Sequence, residues 1–316
     1  MAIARRMFAP IRQTSGMGRW VLAAGLVITG FFVVLAIFAP WIAPYGFAQK
    51  QADGRLFPKL APPGGNHLFG TDRGFYDVFS RVVWGARTEL MVVLVAVLAS
   101  LVIGVLLGLI SGYMGGWLDR VLVLVMDSLY AFPSLLLAIV FAFLLTDILG
   151  GGITAAALSI TVIYMPQYFR VVRNTTVSAR EATYVEAARA IGAPRRTILG
   201  RYVFGNVIQS VPVIGTLNAA DAISVLAALG FLGLGIQPTE AAEWGYDLNR
   251  ALTDVASGVW WTSVFPGLAI VLLVTGLTLV GEGLNETLNP TLRKRRLTRI
   301  IAPARAQKPA PEEAVQ

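Results

Sequence analysis

The sequence predicts an all-α membrane protein with six transmembrane helices, and three observations carry that expectation. Of its 316 residues, 56% are hydrophobic and only 14% charged, where a soluble domain carries about 25% charged residues; mean hydropathy is +0.67. The apolar residues fall in blocks with few or no charges, most of them close to the roughly 20 residues a bilayer requires. Lys and Arg gather between these blocks. A pI near 10.0 therefore reads as membrane topology, with the lipid bilayer as partner and no nucleic acid.

The first block, Trp20 to Ala39, is uncharged and about twice the apolar core of a signal peptide, so it reads as an uncleaved helix ending at Ala39-Pro40-Trp41. Leu90 to Ile110 is the second. Val121 to Leu145 is the third, carrying Asp127 and broken by Pro133. Ile153 to Phe169 is the fourth. Tyr202 to Leu234 is a long fifth block punctuated by Gly205 and Pro212 and carrying Asp221, and Thr262 to Gly281 is the sixth. Lipid forces each segment to satisfy its own backbone polar groups, so these blocks are helices, and the alternating strands of a barrel are absent.

Orientation follows from basic residues near the span ends. With the N-terminus inside, the cytosolic pieces collect Arg5, Arg6, Arg12 and Arg19, then Arg120. The loop after span four adds Arg170, Arg173, Arg180, Arg189, Arg195, Arg196 and Arg201, and the tail adds Arg293, Lys294, Arg295, Arg296, Arg299, Arg305 and Lys308. This is most of the 26 Lys and Arg, so both termini are expected in the cytosol. The division is residues 1–45 for the N-terminus and first helix and 46–88 for an extracytoplasmic segment. Residues 89–285 are a core with a cytosolic loop at 173–201, and 286–316 are a basic tail. From Ala302 that tail is too rich in Pro, Ala, Glu and Gln to bury a core.

The cytosolic loop is unlike a plain connection. Thr183 and Glu186 have the spacing of a capping box, Tyr184 to Ile191 are helix formers, and Gly192 is placed to end the helix in a left-handed cap. Pro194 suits the first position of a second helix leading into span five. Ala187, Ala188 and Ala190 leave the first helix nearly flat, open either to a docking partner or to lipid headgroups.

The stretch REATYVEAARAIG, Arg180 to Gly192, resembles the EAA loop of ABC importer permeases. HLFGTDRGFYDVFSRVVWGART from His67, Phe132-Pro133, FLGLGIQP from Phe231, Trp244-Gly245, FPGLAI from Phe265 and GEGLNETLNPTLR from Gly281 are together similar to the C-type permease subunit of the dipeptide, oligopeptide and nickel importers. The likeness runs from about residue 20 to 296. It departs at Phe75-Tyr76, where the family has Gly-Arg. It departs again at Gly205 in the step Val203-Phe204-Gly205-Asn206, where the family has proline, and at Leu226, where it has glutamate.

The resemblance implies a type I importer permease core preceded by one N-terminal helix, in a bacterial plasma membrane. Its partners would be a homologous B-type permease, two ATPase subunits and an extracytoplasmic binding protein. It also implies that Tyr184, Glu186, Ala187, Ala188, Arg189 and Gly192 form the coupling helix on the ATPase. The expected solutes are di- and oligopeptides, with nickel chelates or another small solute as the alternative.

No catalytic constellation is visible. There is no cysteine, a single histidine (His67, expected at the surface), no Gly-Lys for a phosphate-cradling loop, no G-x-S-x-G and no H-E-x-x-H. The chain reads as a transport subunit with no cofactor or metal of its own, ATP and Mg belonging to partner ATPases. Ionisable residues inside spans usually face a cavity or a partner. Asp221, Asn218 and Asp127 are thus candidates for the translocation path, Asp221 attracting a substrate amino group. The competing reading is an Asp221 satisfied by Asn218 or a neighbouring helix. Asp77 to Arg87 reads as an amphipathic helix on the outer surface. An ion-driven secondary transporter would need matched halves with paired carboxylates, of which Asp127 and Asp221 give only a faint hint. A membrane-embedded enzyme lacks a candidate site.

Overall fold

A computed structural model describes residues 16–208 and 211–288. The basic residues Arg5, Arg6 and Arg12 and the tail from Arg293 to Lys308 lie outside the described residues. Helix α1 (Gly16–Ile37) is followed by a short α2 (Ala39–Ile42), then a segment of turns with a two-stranded hairpin, β1 (Gln51–Ala52) and β2 (Arg55–Leu56). The hairpin turns on Asp53 and Gly54, both at positive φ, the conformation that a two-residue connection demands.

The long α3 (Val78–Met114) runs through the bundle and is followed by α4 (Gly116–Tyr130), α5 (Ser134–Leu149) and α6 (Gly152–Arg180). The connection to the next span contains α7 (Thr183–Ala190), α8 (Arg195–Thr197), a π-helical stretch Ile198–Val203 and α9 (Phe204–Val207). Helices α10 (Val211–Phe231), α11 (Trp244–Val255) and α12 (Trp261–Leu288) complete the described chain.

Five helices, α1, α3, α6, α10 and α12, are long and apolar enough to cross a membrane. The expected third span is the exception. It is two helices, α4 and α5, bent by 100° at a break, and a sixth crossing exists only if that pair is one span. Pro133 supplies the cause. It has no N–H, its ring disfavours helical backbone at Phe132, and at ψ 130° it is itself extended. The break is therefore a corner.

The fifth block also differs from its expected single run. Residues 198–203 are π-helical, followed by the short α9, and the described part of the membrane helix α10 is Val211–Phe231. Helix α10 ends in a Schellman turn, with Gly233 at φ +78°. Gly233 N–H bonds to Gly230 O at 2.9 Å, and Leu234 N–H to Leu229 O at 3.0 Å.

The bundle is organised on the parallel contact of α3 with α6. Gly104, Gly108 and Gly112 recur every fourth residue and so lie on one stripe of α3, continuing Ala96 and Ser100. A methyl group at Gly104 would fall 2.7 Å from the Met165 carbonyl oxygen, one at Gly108 2.7 Å from Phe169 O, and one at Gly112 2.7 Å from Arg173 O. Without side chains there, backbone meets backbone, the small-residue packing by which helices associate in lipid. Exposed Leu94, Leu98, Val102 and Leu106 point away from the bundle. On the other side α1 lies along α12, with Gly25 against the Gly276 carbonyl.

The non-helical segment closes over one end. His67 is a correction to the surface position expected of it. It is buried, its Nδ1 lies 2.8 Å from Asp77 Oδ1, and its ring packs between Phe57 and Tyr45. Asp77 also accepts from Ser80 N–H and Oγ at 2.8 and 2.7 Å, capping α3. Asp77 to Arg87 is correspondingly not a separate surface helix. It is the cap and first turns of α3, with Val78, Val82, Val83 and Ala86 buried. A hydrophobic face that suits headgroups suits a protein core equally well.

Gly108→Val is expected to force α3 off α6 and to destabilise the chain by about 1–3 kcal/mol, the usual cost of overpacking. Val102→Leu, on the exposed face, should leave stability unchanged. Thermal unfolding of the full chain in lipid nanodiscs compares the two.

Candidate functional site

Three groups of polar or exposed residues stand out from the apolar bundle. The first is α7. Its expected capping box does not form. Thr183 is the first helical residue rather than the cap, and Ala182 holds the cap position with no side-chain bond to the helix end. Its C-terminus is as the sequence predicts: Gly192 sits at φ +79°. Gly192 N–H bonds to Arg189 O at 2.9 Å and Ala193 N–H to Ala188 O at 3.0 Å, a Schellman turn. Pro194 begins the next turn through its carbonyl, which accepts from Thr197 and Ile198.

Val185 and Ala188 face the bundle and are buried, while Tyr184, Glu186, Ala187, Arg189 and Gly192 are exposed and Ile191 is 81% exposed. The anchored side and the outward side of α7 are thus distinct, and Ala188 belongs to the anchored one. Beside it a cleft of about 510 Å³ opens between the end of α3 (Tyr113, Met114) and Arg189, Ala193, Ile198 and Leu199.

Charged pairs hold this end together. Arg173 makes a bidentate bond to Asp119 at 2.6 and 2.7 Å, and Ser111 of α3 also donates to Asp119. Arg180 donates to the terminal carbonyls of α3 at Gly112 and Tyr113. Asp127 pairs with Arg170 at 2.8 Å, both half in solvent, and the guanidinium lies over the Tyr130 ring.

The second group lies where α4 and α5 turn away. A cavity of about 300 Å³ is lined by Tyr130, Phe132, Ser134, Leu137, Gln167 and Asp221, among others. Asp221 is exposed to it and accepts a 2.7 Å bond from the Tyr164 hydroxyl of α6. Both readings of Asp221 therefore meet in one geometry: a neighbouring helix takes one oxygen, and the carboxylate still faces open space. Asn218 is buried beside Tyr168 and is not among the lining residues. Asp127 is not among them either. Tyr164 and Gln167 were not singled out from the sequence, although polar residues three apart in an apolar helix share a face.

The third group is at the α11 end. Arg81, 3% exposed, grips Asp247 through Nε at 2.7 and 2.9 Å and through Nη2 at 2.7 Å. Arg73 pairs with Asp254 at 3.0 Å and Arg250 with Asp72 at 3.5 Å. Burial pushes the Asp247 carboxyl up to about 6 against the pull of Arg81. Burial likewise raises Asp72, opposed by Arg250 and by N–H bonds from Tyr76 and Gly74. Trp244, fully buried, donates its indole N–H to Val82 O at 3.1 Å and sits on Gly85, where any side chain would displace it.

Among the described residues no three His, Cys, Asp or Glu are placed to hold a metal. Helices that cross a membrane, an anchored helix turned outward at one end and a polar cavity in the bundle define a transport protein. The chain belongs to the family of binding-protein-dependent transport system inner membrane components, matching over residues 104–294. Residues 21–63 match the N-terminal transmembrane domain of oligopeptide transport permease C, so within the family it is a C-type permease subunit. It is a transport subunit rather than an enzyme, ATP hydrolysis residing in separate subunits of such importers.

The chain is 43% identical over 272 residues to the dipeptide transport system permease protein DppC of Escherichia coli K12, covering 85% of this chain and 89% of that one. It is 38% identical over 269 residues to DppC of Alkalihalophilus pseudofirmus, 85% of each chain. It is 40% identical over 262 residues to the glutathione transport system permease protein GsiD of Shigella flexneri, 83% of each. In fold it is similar to a chain of the MetNI methionine ABC transporter, in an inward-facing form. That match has a TM-score of 0.53 at 19% identity over 66% of this chain and 96% of that one.

Arg81→Ala leaves the buried Asp247 without its counter-charge and is expected to cost about 3–5 kcal/mol, whereas replacing both by apolar residues of similar size should restore most of the loss. A double-mutant cycle of thermal unfolding measures this.

Proposed function

We propose that this chain forms half of the translocation path of an ATP-driven importer of di- or oligopeptides and that α7 transmits the ATPase stroke. The observation that carries this reading is the division of α7 into two sides. Val185 and Ala188 pin it to the bundle, while Tyr184, Glu186, Ala187, Arg189 and Gly192 are turned outward. A short rigid helix fixed on one side and turned outward on the other passes a push into whatever anchors it, here the bundle and the π-helical lead into α10.

In this reading the α7 end and both termini are cytosolic, as the basic residues there require. The partners are a homologous B-type permease, two ATPase subunits that hold ATP and Mg, and an extracytoplasmic binding protein facing the α11 end. The names of the relatives support a peptide as solute.

Asp221, held by Tyr164 at the cavity wall, supplies the negative charge that an incoming peptide's ammonium group seeks. Asp127 is neutralised by Arg170 and so serves the corner at Pro133 rather than the solute. Asn218 supports the wall from behind through Tyr168.

The test is ATP-dependent peptide uptake by the reconstituted importer. Glu186→Lys with Gly192→Val should abolish uptake while the membrane subunits still assemble, because Gly192 needs a left-handed backbone that a β-branched residue resists. Uptake at the wild-type rate with assembly intact would sink the coupling role. Asp221→Asn should slow uptake of peptides with a free amino terminus by about tenfold, the equivalent of roughly 1.4 kcal/mol, and spare N-acetylated ones. Equal effects on both would remove Asp221 from recognition.

A further inference from the structure

Glu89, in α3, is fully buried. Its Oε1 accepts from the Trp244 N–H at 3.4 Å, and its Oε2 is buried with no hydrogen-bond donor. The group next to it is a second fully buried carboxyl, Glu243, the two side chains being in hydrogen-bond contact. Glu243 caps α11, its oxygens accepting from Gly245 N–H at 2.7 Å and Tyr246 N–H at 2.6 Å. It also rests on Gly230 of α10, where a side chain would displace it.

Two ionised carboxylates in contact and shielded from water repel each other, while a single proton turns the pair into a donor and an acceptor. The surroundings say where the proton sits. Glu243 has two N–H donors and a helix N-terminus, which favour its negative charge; Glu89 has one long contact and an empty oxygen. We infer that Glu89 and Glu243 form a single-proton binding site, with the proton on Glu89, which fastens α3 to the turn between α10 and α11.

The charged groups around the site do not supply the missing donor. On α3, Arg81 is engaged with Asp247 and Arg87 is exposed and lies over Trp84. On α11, Asp247 adds like charge, and Arg250 faces Asp72; Tyr246 contributes its backbone N–H. The ionisable residues of α1, α10 and α12 (Arg19, Asp221, Glu282 and Glu286) are several turns away along their helices.

Burial raises the Glu243 carboxyl, with the N–H bonds of Gly245 and Tyr246 and the Glu89 contact drawing it back and Asp247 raising it. A carboxyl raised in the native state holds its proton longer there than in the unfolded chain. The stability that the shared proton confers is therefore present at low pH and is lost where rising pH removes that proton from the pair.

The experiment uses the full chain in lipid nanodiscs. Infrared spectra of the wild type should show a protonated-carboxyl band at neutral pH, where a solvated carboxyl is fully ionised, that disappears as the pH is raised further. The unfolding temperature should fall over the same range. Glu89→Gln, whose amide donates to Glu243 permanently and still accepts from Trp244, should lack the band and lose the fall. Glu243→Gln should lower the unfolding temperature more than Glu89→Gln, because it strips an acceptor from the start of α11. A wild type with no such band overturns the proposal without need of any variant. So does a Glu89→Gln chain that keeps the wild-type pH dependence.

Discussion

The close approach of α3 and α6 is the contact on which the other placements depend. Lipid offers helices no hydrophobic reason to associate, so the bundle needs another source of cohesion, and the bare backbone at Gly104, Gly108 and Gly112 provides it. Once these helices touch, the last turns of α6 are carried to the end of α3. There Arg173 reaches Asp119 and Arg180 reaches the final carbonyls of α3. Helix α7 follows after two residues and inherits its position from that junction.

The places of five membrane-length helices were legible in the sequence because hydropathy alone specifies a membrane helix, although α3 and α6 run well past their apolar blocks and the third block is a bent pair. The left-handed end of α7 at Gly192 was legible too, since only glycine adopts that conformation cheaply. What escaped depended on distant partners. His67 looked solvated because nothing near it in sequence reveals the Asp77 and Phe57 that enclose it. The first turns of α3 looked like a surface helix because an apolar face does not say whether it meets lipid or protein. The Thr183–Glu186 pattern matched a capping box, yet the chain enters α7 one residue earlier. Glu89 was overlooked because it borders an apolar block, where a charge is easily assigned to the loop. Of the path candidates, Asp221 lies on a cavity as expected, but its partner Tyr164 comes from a different helix and has no signature of its own.

Polar groups are distributed unevenly along the bundle. At the α7 end the ion pairs are partly solvated and bridge neighbouring helices, so they can be exchanged at little cost. At the α11 end Arg81–Asp247 and Trp244 are buried, and breaking them exposes uncompensated charge. The bundle is therefore held by exchangeable, partly solvated pairs at the α7 end and by buried ones at the other.

The corner at Pro133 has a further consequence in simple lengths. Helix α5, with 16 residues, spans about 24 Å, while its antiparallel neighbour α6, with 29, spans about 43 Å at 1.5 Å per residue. The three consecutive left-handed glycines 150–152 start the two level with each other, so α6 must overhang by some 20 Å. That overhang leaves α5 behind and is braced by α3 instead, whose Gly112 meets Arg173. It carries Arg170 and Arg173 beyond the shorter helix, leaves α4 to fold beneath it, and sets α7 where α3 and α6 end together.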